Sequence, residues 1–256
     1  MNYDRVKTYG HLALRLFGLA AVVGGVLVLG LLGWQWQTTV EVERITVAGT
    51  THAPADTVRH LTRVDSGTVM EAIDASLVAD RVSRHPWIER ADVTKKRARR
   101  TLHVTVTERV PAALAIDAQG DPAYYLDRHG YAMPLPHSTS YDVPLVRGLG
   151  AAYHPVQQLA PPFLRDVFSA LDATDTDALV DAIVVEPDSS VRLVTAPVGD
   201  YGALPVRLGT GNVVPKLRHL RVFAQQVLAT QSDNKIAEID LRFDGQIVTR
   251  KHPLDG

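Results

Sequence analysis

Two kinds of side chain in this sequence are spaced so that chemistry has to be considered. The first is the set of histidines and carboxylates. His52 and His60 flank one predicted helix, yet no carboxylate completes a metal-ligand set at the usual spacing. His129 falls in a turn and His154 in a loop, and all four histidines read as solvated side chains. Asp127 has the chemistry of a general acid, but in "LDRHG" it reads as an ordinary turn opener. Glu108-Arg109 closes a strand, a pattern that suits an ion pair or a cap. Asp240, Arg242 and Asp244 share one face of a strand. Paired carboxylates can share a proton, but an arginine between them points to an ion-paired or solvated face.

The second is "KKRARR", where Lys95, Lys96, Arg97, Arg99 and Arg100 place five basic side chains in six positions. The chain as a whole is balanced, with 27 Lys+Arg against 28 Asp+Glu. Nucleic acid, a lipid surface, a protein partner and a solvated turn each suit such a run.

No H-E-x-x-H, G-x-S-x-G or P-loop is present, and no G-x-G-x-x-G sits between a strand and a helix. The absence of cysteine excludes a disulfide framework, a thiol nucleophile and a cysteine-based zinc site. The sequence therefore predicts no catalytic residues, no metal and no cofactor. A hydrophobic content of 46% is ample for a folded core.

The elements that must hold these residues begin with an anchor. Residues 16–36, "LFGLAAVVGGVLVLGLLGWQW", contain no charge. At ~1.5 Å per residue the run spans roughly 30 Å, the thickness of a bilayer's hydrocarbon core. A cleaved signal has a shorter apolar region, ~7–15 residues, and a small-x-small site; "WQWQTTVEVE" has no such site. A retained transmembrane helix is predicted over 16–38. Arg5, Lys7 and Arg15 precede it, and Glu41, Glu43 and Arg44 follow it. The positive flank keeps 1–15 in the cytoplasm as a tail and puts the remainder outside. That orientation removes genomic DNA as a target of the basic run.

The exported part reads as α+β. Residues 43–47 alternate as a strand ending at Gly49. Pro54 opens a helix with Val58 and Leu61 on its apolar face. Asp74 is placed to cap a second helix carrying Leu77, Val78 and Val82, with Ile73 and Val78 as a hydrophobic staple. A strand starts at Ile88, and Leu102, Val104 and Val106 alternate with polar residues in the next. The order is β-α-α-β-β, with the basic run at the tip of the last hairpin. Downstream, strands are predicted over 112–116, 124–126, 183–185 and 191–194, and loops over the proline-rich 134–162. Amphipathic helices are predicted over 163–171 and from Pro215, and strands over 239–243 and 246–251.

These stretches resemble a known family. "VERITVAGTTHAPADTV", "HPWIERADV" and "TLHVTVTERVPAALA" are similar to the POTRA domain of the bacterial cell-division family FtsQ/DivIB. "YYLDRHGYAMPL" and "DVPLVRG" resemble the start of that family's β domain. "VRLGTGNVVPKLRHLRVFAQQVL" and "IAEIDLRFDGQIVTRK" resemble its last helix and strands. The resemblance implies a POTRA domain over 41–110, a β domain over 111–252 and a tail over 253–256. It implies a non-catalytic bitopic divisome scaffold in the inner membrane at the division site, with its folded part in the periplasm. The scaffold would link early and late division proteins and regulate septal peptidoglycan synthesis, with FtsB- and FtsL-like division proteins as partners. It also implies that the last strands receive a partner segment by strand addition, at Phe243, Gly245, Gln246, Ile247, Val248 and Arg250. Arg250 stands where some relatives place an aromatic residue. POTRA domains also serve in envelope assembly and transport, but on proteins with a large β-barrel and without this anchor. A membrane-tethered envelope enzyme is the other alternative.

Overall fold

The computed structural model describes residues 3–37, 40–136, 139–188, 190–230, 236–243 and 245–251. Helix α1 runs Tyr3–Gln37. Its stretch Phe17–Trp34 is long and apolar enough to cross a membrane, and none of it packs inside the protein. An uncharged helix left bare in this way has no polar face to offer water.

The next unit is a three-stranded sheet covered by two helices. Strand β1 (Arg44–Ala48) precedes α2 (Ala55–Thr62) and α3 (Ala75–Ser83), then β2 (Ile88–Lys96) and β3 (Thr101–Glu108). The sheet order is β1-β3-β2, with β1 parallel to β3 and β2 antiparallel to it. Asp74 caps α3 by accepting from the amides of Ser76 and Leu77, and Ile73 and Val78 share one buried cluster. Of the apolar residues Leu77, Val78 and Val82 that α3 carries, Val78 and Val82 are buried and Leu77 points to solvent. It lies one position from Val78, about 100° around the helix, outside the stripe that meets the sheet. At the end of β1, Gly49 adopts φ +86°. A Cβ there would stand 2.2 Å from the carbonyl oxygen of Val106, so the parallel strand can approach only a glycine.

The second unit is a nine-stranded sheet. Its strands are β4 (Pro111–Ile116), β5 (Pro122–Asp127), β6 (Ala132–Met133), β7 (Leu145–Arg147), β8 (Val180–Val185), β9 (Val191–Thr195), β10 (Pro205–Gly209), β11 (Ile236–Asp240) and β12 (Val248–Lys251). Their order across the sheet is β12-β11-β10-β9-β8-β7-β4-β5-β6. Helices α4 (Pro162–Thr174) and α5 (Val213–Phe223), the latter continued by a π-helical turn over Ala224–Leu228, pack on one face. The predicted face Leu164, Val167, Phe168 and Leu171 of α4 is buried, as are Leu217, Leu220, Ala224 and Leu228 of α5 and its extension.

Three strands lay hidden in the sequence. The two-residue β6 and three-residue β7 are too short for period-two alternation to register. β7 sits where loops are predicted and is wedged parallel between β4 and β8. β10 is flanked by glycine and proline, and it becomes a central strand only by pairing β9 and β11. Strand β11 spans Ile236–Asp240, three residues earlier than the predicted 239–243, and β12 begins at Val248, two residues later than the predicted 246–251.

Adjacent tyrosines on β5 join the two units. Successive strand side chains face opposite ways. Tyr124 enters the core under α4 and α5, while Tyr125 enters the core beneath β2 and β3 with Met133.

Candidate partner-binding edge and the junction beneath it

β12 is the last strand of the large sheet and pairs only with β11 among the described residues. Its outer row of backbone amides and carbonyls is open to another strand. The path into this edge is set by Asp240. Its carboxylate accepts from the backbone amide of Arg242 at 3.0 Å and from the Arg242 guanidinium at 2.6 Å. The guanidinium contact is the main reason the Asp240 carboxyl is held below its usual range. This local bonding turns the chain out of the sheet after β11 and ends the strand.

The six predicted partner residues divide between turn and strand. Phe243 is 54% exposed. Gly245 has φ +70°, and the Gln246 amide donates to the Phe243 carbonyl at 3.3 Å, closing the turn. Ile247 packs half-buried against the main core. Val248, 41% exposed, is the first residue of β12. Arg250 lies 3.3 Å from Glu238 on β11, which also holds Arg207 of β10. Asp244, the third member of the predicted polar face, and the tail 253–256 lie outside the described residues. A notch of about 230 Å³ opens beside the edge, lined by Pro215, Lys216, His219, Leu241, Phe243 and Gln246.

The basic run occupies a β2–β3 hairpin. Lys95 and Lys96 are the last residues of β2, Arg97–Arg99 form a 3-10 turn, and Arg100 takes φ +49° to enter β3. Arg97 pairs with Glu71 at 2.7 Å and Arg100 with Glu43.

The junction between the units holds the titratable cluster that sequence spacing does not reveal. His52 stacks on Trp87 at 4.3 Å between centroids and 18° between planes. Its Nδ1 meets Glu108 at 2.8 Å and its Nε2 meets the Tyr141 hydroxyl at 2.5 Å. Glu108 also accepts from the amides of Thr51, His52 and Ala53. Burial works against its charge, but these amides and the His52 ring outweigh it and hold the Glu108 carboxyl below its ordinary range. His52 is thus a packed, bonded residue rather than the solvated side chain predicted. Beside it, Arg109 donates to Asp127 at 2.5 Å and covers the Tyr131 ring at 4.2 Å. Asp127 also accepts from the Tyr131 amide at 2.8 Å, so it is both turn opener and buried ion-pair partner. These carboxylates are spent on amides, a ring nitrogen and a guanidinium. Among the described residues no group of three His, Asp or Glu could hold a metal ion.

Comparison with known proteins decides the lineage. Residues 40–109 match a family model described as POTRA domain, FtsQ-type, and residues 111–250 match one described as FtsQ/DivIB, C-terminal related. The chain belongs to the FtsQ/DivIB family. It is similar to a cell division protein FtsQ of Salinibacter ruber, 54% identical over 259 residues and covering 100% of both chains. It is likewise similar to a cell division protein FtsQ of Rhodothermus marinus, 40% identical over 241 residues that span 92% of this chain and 88% of that one. A cell division protein FtsQ of a Geobacter species is 28% identical over 257 residues. The three-stranded unit is the POTRA domain of this FtsQ-family chain, and the helix-covered sheet is its C-terminal part. The β12 edge belongs to that second part.

Proposed function

We propose that this chain is a bitopic scaffold of the divisome that works by binding rather than by catalysis. In this reading α1 crosses the inner membrane with residues 1–15 in the cytoplasm, and 41–110 and 111–252 stand outside. The cationic N-terminal flank in the sequence supports that orientation. FtsB- and FtsL-like division proteins are the partners, and through them the scaffold links early and late division proteins and regulates septal peptidoglycan synthesis. Its similarity to cell division proteins FtsQ supports the division role.

The observation that carries the reading is the open outer edge of β12 beside the notch at Phe243. A partner strand would pair with Val248–Lys251, with Phe243, Gly245, Gln246 and Ile247 shaping the approach and Arg250 giving a polar contact. Backbone pairing supplies affinity in this mode, and alternate side chains supply specificity.

The test is capture of an FtsB-like partner by the detergent-solubilised full chain, as wild type and as Val248→Glu. Val248 is exposed, so its substitution leaves the fold intact, whereas Ile247→Glu would also disturb the core. Loss of capture by Val248→Glu with an unchanged melting temperature is expected. Equal capture by both proteins would remove the edge assignment. Depletion of the chain should give filamentous cells, and normal septation without it would defeat the division reading.

A further inference from the structure

The parallel register of β1 and β3 has a consequence for the basic hairpin. Because Arg44 pairs with Thr101, the tip that precedes Thr101 lies at the end of the POTRA domain where the chain arrives from α1. The Glu43 amide donates to the Arg100 carbonyl at 2.8 Å. The arriving segment is clamped there: the Met70 amide donates to the Val40 carbonyl at 2.7 Å and the Val42 amide to the Thr68 carbonyl at 2.9 Å. Val40 is three residues beyond Gln37, the last residue of α1, so it lies within about 11 Å of it by chain length alone. The opposite end of the domain, at Glu108 and His52, meets the second unit instead. The basic tip is therefore tied to the anchor's exit, not to the body of the protein.

Its charges are only partly spent. Arg97 and Arg100 are held by Glu71 and Glu43. Lys95, Lys96 and Arg99 have no ion pair among the described residues, although Lys95 lends its charge to the cap Asp74. Ala98 and Arg99 are exposed at the apex. Glu41, Asp65 and Asp74 are exposed carboxylates at this end without an ion pair among the described residues, and Arg44 and Arg63 are exposed cations there that also have none.

We propose that Lys95, Lys96 and Arg99 form a membrane-contact site for anionic phospholipid headgroups beside the chain's own anchor. The inference rests on α1 spanning the membrane, and it goes beyond tethering: the contact fixes the tilt of the POTRA domain relative to the bilayer. Ammonium and guanidinium groups meet phosphate there at headgroup depth, within a Debye length of the surface. Each neutralised side chain lowers occupancy of the headgroup layer about fivefold, the ratio for about 1 kcal/mol.

The chain has no cysteine, so Ala98→Cys gives a single fluorophore site at the apex. The full chain would be placed in nanodiscs of phosphatidylcholine alone or with phosphatidylglycerol, each carrying a headgroup spin-label quencher. Quenching should be several-fold stronger with phosphatidylglycerol and should fall in high salt. Lys95→Gln/Lys96→Gln/Arg99→Gln in the labelled chain should abolish the difference, and Arg99→Gln alone should reduce it, with circular dichroism unchanged. Equal quenching in both lipids, or a triple variant that keeps the difference, overturns the contact even though the chain is inserted. A chain that does not enter the discs overturns the anchor reading and this inference with it.

Discussion

The Tyr141 hydroxyl, from the segment before β7, lies 2.5 Å from Nε2 of His52 in the POTRA domain, 89 residues earlier in the chain. The far side of the same ring is committed to Glu108, and its face to Trp87. One imidazole thus ties together the loop after β1, the end of β3 and the second unit.

Tyr141→Phe keeps the ring contacts with Tyr125 and removes only the hydroxyl. A loss of about 1 kcal/mol is expected in denaturant unfolding, the typical net value of one hydrogen bond. His52→Ala removes the stack as well and should cost about 2–3 kcal/mol. In a double-mutant cycle the two changes should be non-additive, because they share one bond.

Glu108 predicts an acid limb. Its carboxyl is held low in the folded protein, so the folded state favours the charged form. The stabilisation is full above the unfolded-state value, about 4.3, and is lost as pH falls from there through the folded value. Asp240, also held low by Arg242, adds in the same direction. Thermal melts of Glu108→Gln should be lower than wild type at neutral pH and should fall less steeply on acidification.

Arg109 and Asp127 form a buried pair, with side chains 10% and 4% exposed. Arg109→Ala leaves Asp127 without its cation and should cost about 3–5 kcal/mol in urea unfolding. Arg109→Lys should recover little, since an ammonium lacks the planar fork that meets the carboxylate while covering the Tyr131 ring.

Gly49 and Gly67 separate backbone strain from steric collision. Both have positive φ, +86° and +88°. Gly67 faces open space, so Gly67→Ala should cost about 1–2 kcal/mol, the left-handed penalty alone. Gly49→Ala adds a 2.2 Å contact with the Val106 carbonyl and must push β1 from β3. Its melting temperature should drop well below that of Gly67→Ala.

Much of this molecule is determined by local sequence. The bare apolar run of α1, the Asp74 cap, the alternation of Leu102, Val104 and Val106, and the buried stripe of α4 each follow from residues within a few positions of one another. Periodicity and capping act over short distances, so they are readable without a fold. The family, too, is carried by the order of such stretches. The tertiary structure alone decided the rest. It inserted β7 and β10 into the sheet, because a three-residue strand and one bounded by proline and glycine become strands only through their neighbours. It ended β11 at Asp240, where a side chain bonds the backbone two residues on. It converted His52 from a solvated side chain into the centre of the junction, because Glu108, Trp87 and Tyr141 are distant in sequence. It also set the basic tip beside the anchor's exit through the register of Arg44 on Thr101. Contacts across tens of residues depend on loop closure and shared burial, and no local pattern encodes them.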